Sequence, residues 1–243
     1  MKTHLGSALF AVAIILSTLI LGGAYKNRNK ASNSIQVTGL GTKDFVSDLI
    51  VWNGSFVRKS MVLKEAYAEL DRDREDIKKY LVVKGINDSQ IVFSAVSIDK
   101  DFNDVYNNAG NRISSAFAGY RLTQNIQIES KEVNKIEDIS RQVSELINAG
   151  IEFYSTAPQY YYTKLAALKI EMIANATKDA NMRASKIAKN AGSTVGQLKN
   201  ANMGVFQIVA QNSSEEYLYG GSFNTDSKRK TASITVKLEY ETE

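Results

Sequence analysis

An uncharged run near the start of the chain sets the first limit on what it can fold into. From Leu5 to Tyr25, "LGSALFAVAIILSTLILGGAY" contains no Asp, Glu, Lys or Arg. Lys2 precedes it, and Lys26, Arg28 and Lys30 follow it. A surface helix of a globular domain needs a polar face, and this segment has none. At about 1.5 Å of rise per residue, some ~20 apolar residues cross a bilayer as a helix. Two readings stay open. The run is an uncleaved membrane anchor, or it is a secretory signal cut near Gly22, Gly23 and Ala24. The basic residues after it sit awkwardly with both, because cytoplasmic flanks usually carry the positive charge. Either way the expected organisation is residues 1–25 as signal or anchor, 26–33 as linker, and 34–243 as one α+β domain.

Composition narrows the chemistry of that domain. Of 243 residues, 44% are hydrophobic and 23% charged, which suits a globular fold with a real core. The net charge of +4 is not gathered into a long basic run, so no nucleic-acid partner is expected. The absence of cysteine excludes disulfides, thiolate metal sites and cysteine nucleophiles. The single histidine, His4, lies beside the apolar run. Histidine triads and histidine metal clusters in the folded part are therefore excluded.

The rest of the chain reads as strands mixed with a few helices. "SIQVTG" and "DFVSDLIVWNGSFVRKS" carry strand composition. In "MVLKEAYAELDRDREDIKKYLVVKG", Leu63, Ala66, Leu70, Ile77 and Leu81 recur at helical spacing, and Gly85 suits the stop. "SQIVFSAVSI" is a strand, "DKDFNDVYNNAGNR" a polar loop, and "SSAFAGYRLTQNIQIES" a long strand. Val133, Ile136, Ile139, Val143 and Leu146 stripe a second helix that Gly150 ends. "IEFYSTAPQYY" is a strand with the chain's one proline. A long helix runs from about Thr163 to Asn190. "TVGQLKNANMGVFQIVAQ" and "KRKTASITVKLEYETE" are the last strands. From Asp44 to Tyr162 the order is strand, helix, strand, strand, helix, strand. That order predicts a ferredoxin-like βαββαβ unit, extended by a long helix and further antiparallel strands.

Candidate motifs mostly fail on their own chemistry. "VTGLGTKD" has Gly39 and Gly41 where a dinucleotide loop has its first two glycines. Its third position holds Asp44, and the sequence after it is strand-like rather than helical. Without a helix N-terminus there is no ready anion site. The expected role of Gly39 and Gly41 is structural: a strand, a glycine bend, then another strand. Asp99, Asp101 and Asn103 begin like a calcium loop, but Asp104 and Gly110 stand where glycine and glutamate are required. The carboxylates at Asp71, Asp73, Glu75 and Asp76 fall in a helical charge run, which is ordinarily solvated. No catalytic residue, metal or cofactor is expected. The loop "EEYLYGGSFNTDS" is too glycine-rich for a buried strand. Its aromatics Tyr217, Tyr219 and Phe223 are the candidate interface residues.

Four stretches together resemble the SIMPL domain family. "IQVTGLGTKDFVSDLIVW" looks like its opening strand, with Val37, Gly39, Gly41 and Asp48 in the motif positions. "GINDSQIVFS" resembles the strand entry after the family's first long helix. "GYRLTQNIQIES" resembles its Gly-Tyr strand, at Gly119 and Tyr120, and "ATKDANMRASKIAKNAGSTVGQL" its alanine-rich helix. The likeness runs from about Ser34 to Glu241. One departure is Ser47, where many relatives have proline before the aspartate. The resemblance implies a bacterial cell-envelope protein without established enzymatic activity, anchored in the inner membrane and facing the periplasm, or exported to the periplasm after signal cleavage. It implies action through self-association into homo-oligomers or binding of a protein partner, with the membrane met through the N-terminal helix. The alternative is a periplasmic small-molecule binder with a pocket between the sheet and the long helix.

Overall fold

The computed structural model describes residues 2–28, 34–213 and 219–242. Among them are four helices and ten strands, in antiparallel sheets with one isolated parallel bridge. Helix α1 (Lys2–Arg28) holds the uncharged run. Its described side chains, Phe10 to Gly23 and Tyr25, are exposed. Among the described residues no helix is long and apolar enough to cross a membrane.

Strand β1 (Ser34–Val46) corrects the expected glycine bend, because it runs unbroken through Gly39 and Gly41. Burial alternates along it, and Val37, Gly39 and Gly41 share the buried face. The glycines replace inward side chains; they do not turn the chain. The break comes later, at Ser47 and Asp48, before β2 (Leu49–Ser60). There Ser47 N–H donates to the Lys228 carbonyl (2.9 Å) and Asp48 N–H to that of Tyr161 (3.0 Å). The Asp48 carboxylate accepts from the Thr163 amide (2.7 Å) and hydroxyl (2.8 Å).

The chain divides into two compact units. The larger comprises residues 41–176 and 205–235. Its six-stranded sheet has the order β3 (Ile91–Phe93), β5 (Arg112–Ser130), β2, β6 (Phe153–Ser155). Strand β4 (Ser97–Tyr106) also pairs with β5, and β7 (Gln159–Tyr161) with β2. Helix α2 (Leu63–Val83) leads from β2 to β3, and α3 (Val133–Gln142) from β5 to β6. Directly opposed pairs such as Trp52 and Ile128 put alternate residues of β2 and β5 on one face. Ile50, Trp52, Phe56, Leu122, Ile126 and Ile128 form a core there with Ala66, Leu70, Ile77 and Leu81 of α2 and the α3 stripe. Leu63, expected in the α2 stripe, is exposed. The second helix is α-helical only to Gln142 and tightens to a 3-10 segment over Val143–Ala149.

The smaller unit comprises residues 1–40, 177–204 and 236–243. In it, β8 (Val195–Met203) pairs with the end of β10 (Arg229–Thr242). Ala180, Ala184 and Ala188 line the buried side of helix α4 (Leu165–Asn190) at helical spacing. The Asp179 carboxylate accepts from the Leu40 amide at 2.9 Å. The sheet containing these strands has the order β1-β10-β8, with β9 (Gln207–Ala210) beside β10. The expected single strand from Thr194 is thus two, β8 and β9.

Candidate functional site

The strongest departure from the sequence expectation is in the larger unit. The expected polar loop at Asp99–Arg112 is an antiparallel hairpin. Strand β4 pairs with β5 from Ser97 opposite Thr123 to Tyr106 opposite Arg112. The turn is held by the Asn107 side chain, which accepts from the amides of Ala109 and Asn111. Strand β2 covers β5 only as far as Ser60 opposite Tyr120. Beyond that point β5 has β4 on one side and no described strand on the other. The hairpin thus leaves the sheet as a two-stranded arm.

Local geometry explains where the arm departs. The β4–β5 register slips between Asp101 and Phe102, and bulges bend and twist a ribbon. Opposite the slip, Gly119 has φ of 125°, and a Cβ there would stand 2.9 Å from the Ser60 carbonyl oxygen. Only glycine suits that corner. Asp101 sits at the base between Lys59 (3.1 Å) and Arg121 (2.9 Å), and these cations hold its carboxyl below the usual range.

The arm presents apolar side chains to solvent. Ile98, Phe102, Val105, Tyr106 and Ile113 are each half or more exposed, and Phe117 is 39% exposed. Phe117 links Phe102 (5.9 Å between centroids) to Tyr120 (5.1 Å) in edge-on contacts. Beside the arm, Leu63, Lys64, Tyr67, Ile98 and Leu122 line an open apolar groove of about 420 Å³. A two-stranded ribbon with free edges and exposed apolar residues is a template for another strand.

The residues singled out from sequence do not form one site. A Cβ on Gly41 would stand 2.4 Å from the Met172 carbonyl oxygen and 3.1 Å from the Ala176 nitrogen. This glycine lets α4 approach β1 at backbone distance. Gly39 is buried on the same face of β1. Of the aromatic loop, Tyr217 lies outside the described residues. Tyr219 is fully exposed, and Phe223 is half exposed. Phe223 bridges to Ile208, and its ring faces the Lys230 ammonium at 5.8 Å.

Lys230 itself went unnoticed in the sequence. It is 1% exposed, and its ammonium donates to the Tyr160 carbonyl. Burial pulls its pKa down to about 8 against the opposing attraction of Asp226. In the run "KRKTASITVK" nothing distinguishes it except its place in the alternation. Buried Lys230, Ala232 and Ile234 share one parity of β10. No group of carboxylates or histidines among the described residues is placed to hold a metal ion.

A mixed α and β protein with antiparallel sheets and an exposed apolar hairpin is the class this architecture defines. Residues 35–240 match the model of the SIMPL family, described as a protein of unknown function (DUF541), and the chain belongs to that family. No curated protein is similar enough in sequence to count as a match.

Proposed function

We propose that this chain is a non-enzymatic cell-envelope protein that acts by self-association or by binding a protein partner, and that the β4–β5 arm is the binding element. The exposed apolar residues of the arm carry the reading. Fully burying a large apolar side chain contributes about 1.5–3 kcal/mol. Burying several in a partner's groove outweighs part of the entropy lost on association. Free strand edges add main-chain hydrogen bonds in the same contact. The family resemblance and the uncharged run support a membrane-anchored molecule facing the periplasm.

Light scattering on the full chain in neutral detergent, over a range of concentrations, tests the assembly reading. A multimer that Ile113→Asp and Phe102→Ser shift toward monomer is expected. A wild-type monomer at every concentration would sink self-association and leave the protein-partner branch.

The apolar groove beside the arm favours a second reading, a small-molecule binder. Its volume of about 420 Å³ lies within the range of ligand sites. Native mass spectrometry should then detect an apolar compound that co-purifies and is lost in Tyr67→Ala.

A further inference from the structure

We propose, resting on the membrane reading above, that the outward face of α4 from Lys178 to Lys189 docks on an anionic lipid surface. Ala180, Ala184 and Ala188 turn one side of this stretch inward. Lys178, Met182, Lys186 and Lys189 recur at intervals of four, four and three residues, which gathers them on the opposite side. All four are exposed. Among the described residues these three lysines make no ion pair. Three cations therefore share one helix face without partners in the chain.

Acidic residues are kept off this side. From Thr177 to Gly204 the single acidic residue is Asp179, and its carboxylate is taken up by Arg183 (2.9 Å) and the Leu40 amide (2.9 Å). Residues 180–214 contain no aspartate or glutamate. Two turns before Lys178, Glu171 is paired with Lys43 at 2.6 Å. Glu239 and Glu241 of β10 belong to the far face of the sheet. They alternate with buried Val236, Leu238 and Tyr240, and the Tyr240 hydroxyl accepts from the Asn181 side chain of α4 (3.3 Å). Glu239 also accepts from the Ser34 hydroxyl (2.8 Å), and Glu241 lies 3.8 Å from Lys199.

Apolar side chains on the same side narrow the partner to lipid. Met182, Leu198 and Met203 are each half or more exposed. Leu198 stands opposite Tyr240 and Met203 opposite Val236 in the β8–β10 register, so both lie on the sheet face that α4 covers. An acidic protein in solution needs the lysines only. A lipid surface takes lysines at its phosphates and aliphatic side chains just beneath them. The compact unit that holds this face also contains residues 1–40. There Lys2, Lys26, Arg28 and Lys30 flank the uncharged run, and no acidic residue occurs. The segment proposed to meet the membrane and the basic face thus belong to one unit.

The test reconstitutes the full chain into vesicles of phosphatidylcholine alone or of an equal mixture with phosphatidylglycerol. Ser185→Cys puts an environment-sensitive fluorophore on the exposed outward face of α4, and a nitroxide phospholipid serves as quencher. Quenching is expected in the anionic vesicles and not in the neutral ones, and about 1 M salt should reverse it. The ratio of docked to free label should fall about fivefold for each of Lys178→Gln, Lys186→Gln and Lys189→Gln. Lys64→Gln, outside the face, should leave the ratio unchanged. The altered lysines are exposed, so the variants keep their fold. Equal quenching in both vesicle types, quenching in neither, or unchanged quenching in the triple variant overturns the docking. Flotation of the same samples reports the anchor separately. A chain that floats with neutral vesicles while its label stays unquenched in both overturns the docking and leaves the anchor standing. A chain that floats only with anionic vesicles, and not as the triple variant, upholds the docking and removes the anchor. Capture by soluble polyglutamate with no response to anionic vesicles overturns the lipid in favour of an acidic protein.

Discussion

At Gly41 the sign of a mutational effect separates two physical causes. Replacing glycine by alanine in a strand ordinarily helps by roughly 0.5–1 kcal/mol, because the unfolded chain loses freedom. Here the added Cβ would stand 2.4 Å from the Met172 carbonyl oxygen, which is backbone and cannot swing away. Helix α4 or strand β1 must shift, and overpacking of this kind costs about 1–3 kcal/mol. Gly41→Ala should therefore lower the midpoint of thermal unfolding by several degrees; an unchanged or raised midpoint would remove the close-approach account. Lys230 supplies a second residue-scale test, through pH. Its folded pKa of about 8 lies below the ordinary value of 10.5. Between these values the unfolded chain binds one more proton than the folded chain. Stability consequently rises with pH across that window, and the full burial penalty is present below it. Wild type should gain on the order of 3 kcal/mol relative to Lys230→Met between pH 7.5 and 10.5. Denaturant titrations of both proteins at several pH values would measure it. Parallel curves would mean that the ammonium is not held out of water.

Among the elements, α2 is fixed to its sheet by more than its apolar stripe. Arg58 of β2 grips Asp73 of α2 with two bonds (2.5 and 2.8 Å) and also donates to the Gly150 carbonyl (3.0 Å). Asp73 is 5% exposed, unlike the other carboxylates of its run. Removing one partner leaves the other charge half-buried and uncompensated. Asp73→Ala should cost about 2–4 kcal/mol, and the double variant Arg58→Met with Asp73→Leu should recover most of it. Urea unfolding of the three proteins tests this; equal losses in the single and double variants would show that the ion pair itself is needed. The same pair shows the limit of reading elements from sequence. The stripes of α2 and α3 were legible because apolar residues recur at helical spacing. Asp73 was not, because it sits inside a charge run, and only the position of Arg58 across the interface makes it different. The β4–β5 arm was hidden for a related reason. Asp and Asn are poor strand formers and fill much of Asp99–Asp104, although Ile98, Phe102 and Tyr106 mark one parity. The unbroken path of β1 was masked by glycines that normally signal a bend.

For the whole molecule, the proposed envelope location makes a prediction about which side of a membrane the folded part faces. Helix α1 extends over Lys2–Arg28, and its described side chains, Phe10 at 70% and Leu21 at 68% among them, are exposed. In length alone, at about 40 Å, it exceeds a hydrocarbon core of about 30 Å, but among the described residues it does not reach the combination of length and apolarity that crossing requires. Its flanks conflict with the proposed direction. Lys26, Arg28 and Lys30 follow the run, Lys2 alone precedes it, and basic flanks tend to stay cytoplasmic. The export reading needs the downstream charges to cross. The composition makes a direct test simple, because the chain contains no cysteine to label by accident. Asn108→Cys places one thiol in the exposed turn of the β4–β5 arm. A maleimide that cannot cross membranes, added to intact bacterial spheroplasts expressing the full chain, should label it before lysis. Carbonate washing should leave the labelled protein with the membrane. Labelling only after lysis would place the folded part in the cytoplasm and make the flanking lysines and arginine the determinant of its orientation. Labelled protein released by the wash would instead indicate cleavage of the apolar run, with the arm free of the bilayer.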